Sequence, residues 1–286
     1  NIIQTAMASS ERIFELLDTP EQLPDKVPHQ PGFKIKGNVE FKDVWFAYNE
    51  ENFILKGISF SLSEGESLAI IGATGSGKST LVNTLCRFYD IQKGNILFDG
   101  KPIKSINKYD LRRQIALVQQ DVFLFSGNIS DNIRLGNPHI VQKEIESISQ
   151  SVSAHKFISN LPFKYDQELK EGGVGISSGQ MQLISFARAL ASNPRILVLD
   201  EATSSVDLET ESQIQSGIQE LIRERTSIII AHRISTLMYA DKILVLKHGQ
   251  IVEFGFRKEL LQQKGIFYKL CQSQLQSQSL TSDNVE

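Results

Sequence analysis

The sequence predicts an α/β fold that is built on a parallel β-sheet. Apolar runs at residues 68–71, 196–199 and 227–230 have the length and the composition of fully buried strands. Stretches with helical spacing of apolar residues separate these runs, and alternating strands and helices are typical of a parallel sheet that is covered on both faces. The 286 residues, of which 41% are hydrophobic, are enough for one or two domains with a large core.

Residues 1–18 are predicted to form a helix that precedes the globular part. The linker that follows, residues 19–36, contains four prolines, which exclude a helix or a central strand. The chain begins at Asn1 rather than at a methionine. No apolar run is close to the length of a membrane span, which is about 18 residues. We therefore expect the sequence to be a piece of a longer protein. The apolar residues of the helix fall on about one face: Ile2, Ala6, Ile13 and Leu17.

Two antiparallel strands are predicted between residues 38 and 62, since apolar and polar residues alternate on both sides of the polar loop 49–52. Residues 121–192 are predicted to be mostly helical, because they contain few β-branched runs. The polar residues 276–286 are predicted to be disordered. The other predicted strands are residues 94–100, 115–119 and 243–246.

The most specific motif is GATGSGKST at residues 72–80. Gly72, Gly77, Lys78 and Ser79 fit the G-x-x-x-x-G-K-[ST] phosphate-binding loop, with a strand before it and a helical pattern after it. Its glycines let backbone N–H groups surround phosphate oxygens, and the helix that follows points its positive end at the same anion. Lys78 can reach the β- and γ-phosphates of a nucleotide, and the Ser79 hydroxyl can ligate Mg²⁺.

A second group of polar residues follows other predicted strands. Asp200 and Glu201 come directly after an apolar run, and the carboxyl end of a parallel strand is where open α/β sheets bind ligands. Asp200 is placed to hold Mg²⁺ and Glu201 to deprotonate an attacking water, although an acidic pair can also favour a helix N-terminus. His232 and Gln120 each follow a further strand, and each is a weak signal by itself.

Two features have more than one interpretation. Tyr48 is either a strand aromatic or a ring on which adenine stacks. Residues 107–110, NKYD, match the N-K-x-D motif of guanine-nucleotide-binding proteins, but they follow no apolar strand and precede the strand of Asp200. We interpret NKYD as a polar turn.

The net charge and the two cysteines bear on the partners and on the compartment. The formal net charge of −3 gives no electrostatic reason to expect nucleic acid as a partner. Cys86 and Cys271 lie far apart and fit neither a disulfide framework nor a metal cluster. We expect Cys86 to be a buried, reduced thiol, which favours a reducing, cytosolic compartment.

With these motifs in order, residues 37–275 resemble the nucleotide-binding domain of an ATP-binding cassette (ABC) transporter of the exporter type. The resemblance implies a P-loop NTPase fold of the ABC ATPase type. That fold has a RecA-like parallel sheet core, an antiparallel β subdomain and an inserted α-helical subdomain at about residues 121–192. The matching motifs are Tyr48 (A-loop), residues 72–80 (Walker A), Gln120 in VQQD (Q-loop), ISSGQ at 176–180 (signature), ILVLDE at 196–201 (Walker B), SSVD at 204–207 (D-loop) and His232 (H-loop).

The resemblance further implies that ATP and Mg²⁺ are bound between two such domains, and that hydrolysis lets the domains separate. Implied catalytic residues are Glu201, His232, Lys78 and Gln120. Implied Mg²⁺ ligands are Ser79, Gln120 and Asp200. Implied ATP-binding residues are Tyr48, Gly72, Ala73, Thr74, Gly75, Ser76, Gly77, Lys78, Ser79 and Thr80. The residues implied to act on the partner's ATP are Ser177, Ser178, Gly179, Gln180 and Asp207.

By the same resemblance, residues 1–18 are similar to the extension of a last transmembrane helix. The transmembrane domains of the same transporter are then partners, at the cytoplasmic face of the cell (inner) membrane. The segment around Gln120, Phe123 and Phe125, and the stretch EGGVG at 171–175, would contact them. The transported substrate stays open among drug, lipid and peptide, because membrane helices choose it.

The signature departs from the family's usual L-S-G-G-Q. Ser178 replaces a glycine, which adds a Cβ and a hydroxyl near phosphate and is expected to cost backbone freedom. Glu201 and His232 are intact. This combination favours one subunit of a heterodimeric exporter, and a homodimer that tolerates serine is the alternative.

Two other functional classes fit the sequence less well. A soluble ABC-type ATPase of DNA repair or chromosome structure needs a long coiled coil between Gln120 and the signature, and that interval has no sustained heptads. A regulatory module that binds nucleotide without hydrolysis is disfavoured by Glu201, the predicted general base.

Overall fold

The computed structural model describes residues 2–19, 25–49, 52–135, 137–200, 208–231 and 234–272. Its strands are β1 (Val39–Phe46), β2 (Leu55–Leu62), β3 (Ser67–Ile71), β4 (Lys93–Phe98), β5 (Lys101–Pro102), β6 (Ile115–Val118), β7 (Gly127–Asn128), β8 (Glu168–Leu169), β9 (Ile196–Asp200), β10 (Thr226–Ile230), β11 (Lys242–Lys247) and β12 (Gln250–Phe256). Its helices are α1 (Ile2–Asp18), α2 (Lys78–Leu85), α3 (Lys108–Arg112), α4 (Ile129–Arg134), α5 (Gln142–Ser151), α6 (His155–Ser159), α7 (Ser178–Ala191), α8 (Leu208–Ile222), α9 (Ile234–Leu237) and α10 (Arg257–Gln263).

The central sheet has the strand order β12-β11-β3-β10-β9-β6. All neighbours from β11 to β6 pair in parallel, which confirms the predicted parallel sheet. β12, which the sequence analysis did not predict, pairs antiparallel with β11. Because the parallel strands all end at one edge of the sheet, the residues that follow β3, β9 and β6 are brought to the same edge.

Each face of the central sheet has its own hydrophobic core. Leu68 and Ile70 of β3 lie in a core that includes residues of α2 and the antiparallel sheet. Ala69 and Ile71 lie in the other core, which includes residues of α7 and α8. Successive side chains of a strand point to opposite faces, so a strand covered on both faces is apolar at every position. This double burial is why the predicted strands appear as unbroken apolar runs.

β2, β1, β4 and β5 form an antiparallel sheet, as the alternation at residues 38–62 predicted for its first two strands. The turn after β4 carries Asp99, whose carboxylate accepts hydrogen bonds from the backbone N–H groups of Lys36 (2.6 Å), Gly37 (3.3 Å) and Asn38 (3.0 Å). The side chain of Asn38 donates another, at 3.0 Å. One carboxylate thus fastens the end of the linker to this sheet.

The region 121–192, predicted to be mostly helical, contains α4, α5, α6 and α7. α7 is the central element, because α4, α5 and α8 all pack against it. Between the helices the chain is less regular than predicted, since β7 pairs with β8 and short 3-10 turns occupy 164–166 and 171–173.

The predicted N-terminal helix is confirmed as α1, and none of its residues is buried. The side chains of Ile2 and Leu16 are 87% and 77% exposed. Among the helices that the structure describes, none combines the length and the apolar composition of a membrane span.

The proline-rich linker is docked on α3 through the NKYD motif. Oδ1 of Asn107 accepts from the N–H groups of Tyr109 (3.0 Å) and Asp110 (3.3 Å) and so caps α3. Nδ2 of Asn107 donates to the carbonyl oxygen of Val27 at 2.6 Å, and Oδ2 of Asp110 accepts from the N–H of Gln30 at 2.8 Å. The interpretation of NKYD as a polar turn was therefore wrong, because these side chains start a helix and anchor the linker.

Candidate functional site

The phosphate-binding motif forms the turn between β3 and α2. Gly77 precedes the helix with a φ of +108°, which side-chain-bearing residues rarely adopt. Gly72 is required by close approach, because a Cβ there would lie 2.6 Å from Ser76 Oγ and would overlap with the carbonyl oxygen of Leu246. The two glycines allow a tight turn between β3 and α2. The first N–H groups of α2 have no partner within the helix and are therefore available to an anion in this turn.

The side chain of Lys78 folds back over this loop and is buried. Its Nζ donates to the carbonyl oxygens of Gly72 at 2.7 Å and Ala73 at 3.1 Å. Burial lowers the pKa of Lys78, and the negative charge of Asp200 opposes that shift. An ammonium held on loop carbonyls can pass its donors to phosphate oxygens that enter the loop.

The rest of the loop offers further polar groups. Thr74 and Gly75 at its tip, and Ser79 in the first turn of α2, are exposed. Ser76 is buried, and its Oγ has no hydrogen-bond partner within the described part of the chain. The loop therefore presents hydroxyls and backbone N–H groups to solvent, as an anion site requires.

Asp200 ends β9, two strands from β3, at the edge of the sheet that carries the loop. Its negative charge opposes the lowering of the Lys78 pKa by burial, as expected for a carboxylate at the same edge of the sheet. Mg²⁺ takes oxygen ligands and is usually held by one or two carboxylates together with substrate phosphates. The Ser79 hydroxyl and the Asp200 carboxylate fit this donor set. Gln120 is exposed just after β6, where its amide oxygen can be added.

Tyr48 lies just beyond β1 with its side chain 45% exposed. Its hydroxyl donates to Thr80 Oγ1 at 3.4 Å and accepts from Asn83 Nδ2 at 3.2 Å. Its ring makes edge contacts with the rings of Phe46 and Tyr89, at centroid distances of 5.0 and 4.9 Å. Tyr48 is thus bonded to the helix that starts at the phosphate loop.

The segment after Gln120 is held to α4 and α7 by one partly buried arginine. Arg188 donates from Nη1 to the carbonyl oxygen of Phe123 (3.1 Å), from Nε to that of Asn132 (2.9 Å) and from Nη2 to Asn132 Oδ1 (3.0 Å). The side chain of Asn132 also pairs with the backbone N–H and carbonyl oxygen of Phe125, both at 2.9 Å. The rings of Phe123 and Phe125 remain 46% and 51% exposed and line a surface groove of about 300 Å³.

The ISSGQ motif forms the start of α7. Ser177 is its N-cap: Ser177 Oγ accepts from the N–H of Gln180, and Gln180 Oε1 accepts from the N–H of Ser177, both at 3.2 Å. Because Ser177 Oγ accepts from the backbone, its own proton remains available to an outside acceptor. Just upstream, Val174 in EGGVG is 69% exposed.

Ser178 is the first residue of α7, and Gly179 follows it inside the helix. A residue in helical conformation does not need glycine, and glycine is the less favourable residue in a helix. The expectation that Ser178 costs backbone freedom was therefore wrong. The effect of serine in place of glycine is thus an exposed Cβ and hydroxyl at the N-terminus of α7.

The two halves of the predicted site are not bonded to each other within the chain. In the described ranges, no hydrogen bond or ion pair joins residues 177–180 to residues 72–80. Three predicted site residues, Glu201, Asp207 and His232, lie outside the described residues. The structure thus brings together Tyr48, the phosphate loop and Asp200, and leaves the start of α7 unbonded to them.

Three residues that hold the site were not predicted from the sequence: Asn83, Asn132 and Arg188. Asn83 bonds Tyr48, 35 residues away, and Arg188 bonds Phe123, 65 residues away. None belongs to a pattern with local spacing. The only signal in the sequence is a polar residue placed within an apolar helical pattern, which a solvent-facing residue also produces.

Comparison with known proteins identifies the family. A family model described as "ABC transporter" matches residues 55–204. The uncharacterised ABC transporter ATP-binding protein YknV of Bacillus subtilis (strain 168) is 46% identical over 274 residues, which cover 96% of this chain and 45% of that protein. An ATP-dependent lipid A-core flippase of Saccharophagus degradans is 45% identical over 277 residues, covering 96% of this chain and 46% of the flippase.

A solved structure agrees with these relatives. The chain superimposes with a TM-score of 0.85 and 37% identity on a bacterial Atm1-family ABC exporter with ATP bound, covering 95% of this chain and 48% of the exporter chain. The fold is therefore that of an ABC ATPase nucleotide-binding domain. The chain spans about half the length of the relatives that it matches.

Proposed function

Since the chain belongs to the ABC transporter family, we propose that it is the ATP-binding and ATP-hydrolysing part of a membrane exporter. The observation that carries the proposal is the loop between β3 and α2, where the Lys78 ammonium sits on the carbonyl oxygens of Gly72 and Ala73. This geometry presents one cation, several N–H groups and two exposed hydroxyls to a triphosphate.

Each candidate site residue has a defined task in this proposal. The N–H groups of the loop and Lys78 bind the β- and γ-phosphates, and the ring of Tyr48 stacks on adenine. Ser79, Asp200 and Gln120 hold Mg²⁺, which neutralises charge on the phosphates when bound. Glu201 orients the attacking water and takes its proton at a carboxylate oxygen, while His232 faces the γ-phosphate.

The start of α7 acts on a nucleotide held by a second domain. Two observations support this: residues 177–180 make no hydrogen bond to the phosphate loop of their own chain among the described residues, and Ser177 retains a donor proton. An ATP between the two domains joins them, and its cleavage releases them. Asp207 is assigned to the same interface.

The membrane part is the second proposed partner. The apolar residues of α1 are exposed, and so are Phe123, Phe125 and Val174 around the groove and the EGGVG stretch. Exposed apolar patches of this kind mark interaction sites. We assign α1 to a continuation of a transmembrane helix and the groove to a contact with the membrane domains, at the cytoplasmic face of the cell membrane.

We further propose that the second nucleotide-binding domain differs in sequence from this chain. The departure at Ser178, together with the presence of Glu201 and His232 in the sequence, favours a heterodimer in which this chain supplies the intact Walker B motif. The test compares phosphate release by the chain alone with that of Ser178→Gly. A heterodimer subunit is expected to be slow alone and faster after Ser178→Gly, whereas brisk activity that Ser178→Gly does not change supports a homodimer.

The proposed function is tested with Glu201→Gln. Removing the general base should reduce ATP turnover by about 100-fold or more and spare ATP binding. Light scattering should then show ATP-dependent association of Glu201→Gln chains. Glu224→Gln, at a carboxylate that is 86% exposed, is the matched control. Unchanged turnover in Glu201→Gln contradicts the proposal, and a lack of association of identical chains with ATP when cleavage is blocked contradicts a homodimer.

A further inference from the structure

The hydroxyl of Tyr48 is the middle of a hydrogen-bond chain that ends on the phosphate-loop helix. Asn83 Nδ2 donates to the Tyr48 hydroxyl at 3.2 Å, and this hydroxyl donates to Thr80 Oγ1 at 3.4 Å. Thr80 and Asn83 are three residues apart on α2, so both lie on one side of the helix. The tyrosine therefore bridges two adjacent turns of the helix that begins at Lys78.

The ring of Tyr48 is fixed at its other end by neighbouring rings. Phe46 and Tyr89 lie nearly perpendicular to it, at interplanar angles of 87° and 85°. Such edge contacts are the favoured arrangement of aromatic pairs. The bonded hydroxyl and the packed ring favour this orientation of Tyr48, although 45% of its side chain is exposed.

Asn83 makes this arrangement directional. The amide of Asn83 is a donor that fills a lone pair of the Tyr48 oxygen, so the tyrosine proton is directed to Thr80. Thr80 Oγ1 then accepts from Tyr48 and keeps its own proton for another acceptor. Thr80 is buried and belongs to the phosphate-binding motif.

We propose that Asn83 is a positioning residue for nucleotide binding, which acts through Tyr48 by holding its ring parallel to an incoming adenine base. This proposal rests on the proposed function, because it assumes that the phosphate loop binds ATP. Asn83 itself need not touch the nucleotide. Asn83 restricts the rotation of the Tyr48 side chain before the base binds. The entropy that Tyr48 loses on binding is therefore smaller.

The test separates base recognition from phosphate recognition. Equilibrium affinities of the chain for ATP and for inorganic tripolyphosphate, both with Mg²⁺, are measured by calorimetry for the wild type and for Asn83→Ala. One lost hydrogen bond at this position corresponds to about 2- to 10-fold weaker ATP binding. Tripolyphosphate has no base, so its affinity should change by less than about 2-fold, and kcat at saturating ATP should stay the same.

A double-mutant cycle shows whether Asn83 acts through Tyr48. In a Tyr48→Phe background the hydroxyl is absent, and Asn83→Ala should then have no further effect on ATP affinity. Asn83→Gln, which retains an amide donor, should recover part of the affinity. Asn95→Ala, at an exposed asparagine of β4, is the control and should not alter binding.

Three results would overturn the positioning role: equal losses for ATP and tripolyphosphate, an additive loss in the Tyr48→Phe background, or unchanged ATP affinity in Asn83→Ala. Failure of the proposed function has a different signature, which is that the wild-type chain binds neither ATP nor tripolyphosphate. Asn83 is partly exposed on a helix, where alanine is more favourable than asparagine, so Asn83→Ala is expected to fold.

Discussion

Nζ of Lys78 donates a hydrogen bond to the carbonyl oxygen of Gly72 at 2.7 Å, so the cation of the phosphate loop is bound to the first residue of that loop. This bond closes the loop across six residues and places the ammonium where carbonyl dipoles would otherwise repel an anion. The Lys78 side chain thus both closes the loop and supplies the positive charge that a phosphate would contact.

Replacing this cation should abolish most of the nucleotide affinity. In Lys78→Ala the carbonyl oxygens of Gly72 and Ala73 lose their donor, and a charge-assisted bond to phosphate is lost. We expect ATP affinity to fall by about 10- to 100-fold, measured by calorimetry or by the loss of ATP-dependent thermal stabilisation. Lys56→Ala, at an exposed lysine of β2, should bind ATP as the wild type does. Wild-type affinity in Lys78→Ala would contradict the assignment.

Arg188 should be a major determinant of stability. Arg188→Ala leaves the carbonyl oxygens of Phe123 and Asn132 without their partly buried donor, and we expect the free energy of unfolding to fall by about 1–3 kcal/mol. Arg188→Lys keeps the charge but loses the planar guanidinium, so its free energy of unfolding should lie between those of the wild type and of Arg188→Ala. Urea unfolding of the three proteins measures these free energies.

The control for Arg188 is Arg134, on α4. It forms an i,i+3 ion pair with Asp131 at 3.2 Å, at side chains that are 33% and 57% exposed. Surface pairs of this type contribute about 0–1 kcal/mol, so Arg134→Ala should change stability little. Equal effects of the two substitutions would show that the bonds of Arg188 to the segment after Gln120 do not contribute.

Asp99 should make stability depend on pH. Partial burial alone would raise the pKa of Asp99, but the hydrogen bonds from Lys36, Asn38 and Gly37 outweigh it and hold the pKa below its usual value. A carboxylate with a lowered folded-state pKa contributes stability that is present above its unfolded pKa of about 4 and is lost as pH falls through the folded pKa.

We therefore expect Asp99→Asn to lower the free energy of unfolding by about 1 kcal/mol at pH 7, with the difference from the wild type shrinking below about pH 4. Urea unfolding at several pH values tests this. Asp166→Asn, at an exposed carboxylate, is the control. A deficit that does not vary with pH would show that the charge of Asp99 is not what stabilises the linker end.

The two cysteines should differ in reactivity. Burial raises the pKa of the Cys86 thiol to about 12, against a smaller opposing effect of Arg112. Burial also raises the pKa of Cys271, with Arg257 opposing, but this side chain is only partly buried. Since the thiolate is the reactive form, iodoacetamide at pH 8 should label Cys271 first and Cys86 only after unfolding. Mass spectrometry of timed samples gives the order, and early labelling of Cys86 would contradict its burial.

The sequence alone was sufficient for the parallel strands, the phosphate loop and the N-terminal helix. These features depend on local properties: apolar runs, the backbone angle that Gly77 allows, and helical spacing. The same local reasoning was wrong at Ser178, because whether serine costs backbone freedom depends on where α7 begins. It was also wrong at Asn107, whose side chain caps α3 and reaches Val27 of the linker, 80 residues away.

Only the tertiary structure decided which polar side chains hold the site. Asn83, Arg188 and Asp99 have ordinary local surroundings in the sequence, and each acts on residues at least 35 positions away. Burial of apolar surface has no direction, so its pattern can be recognised in the order of the residues. A hydrogen bond needs one partner at a fixed distance and angle, and that partner is set by how the sheet and the helices pack.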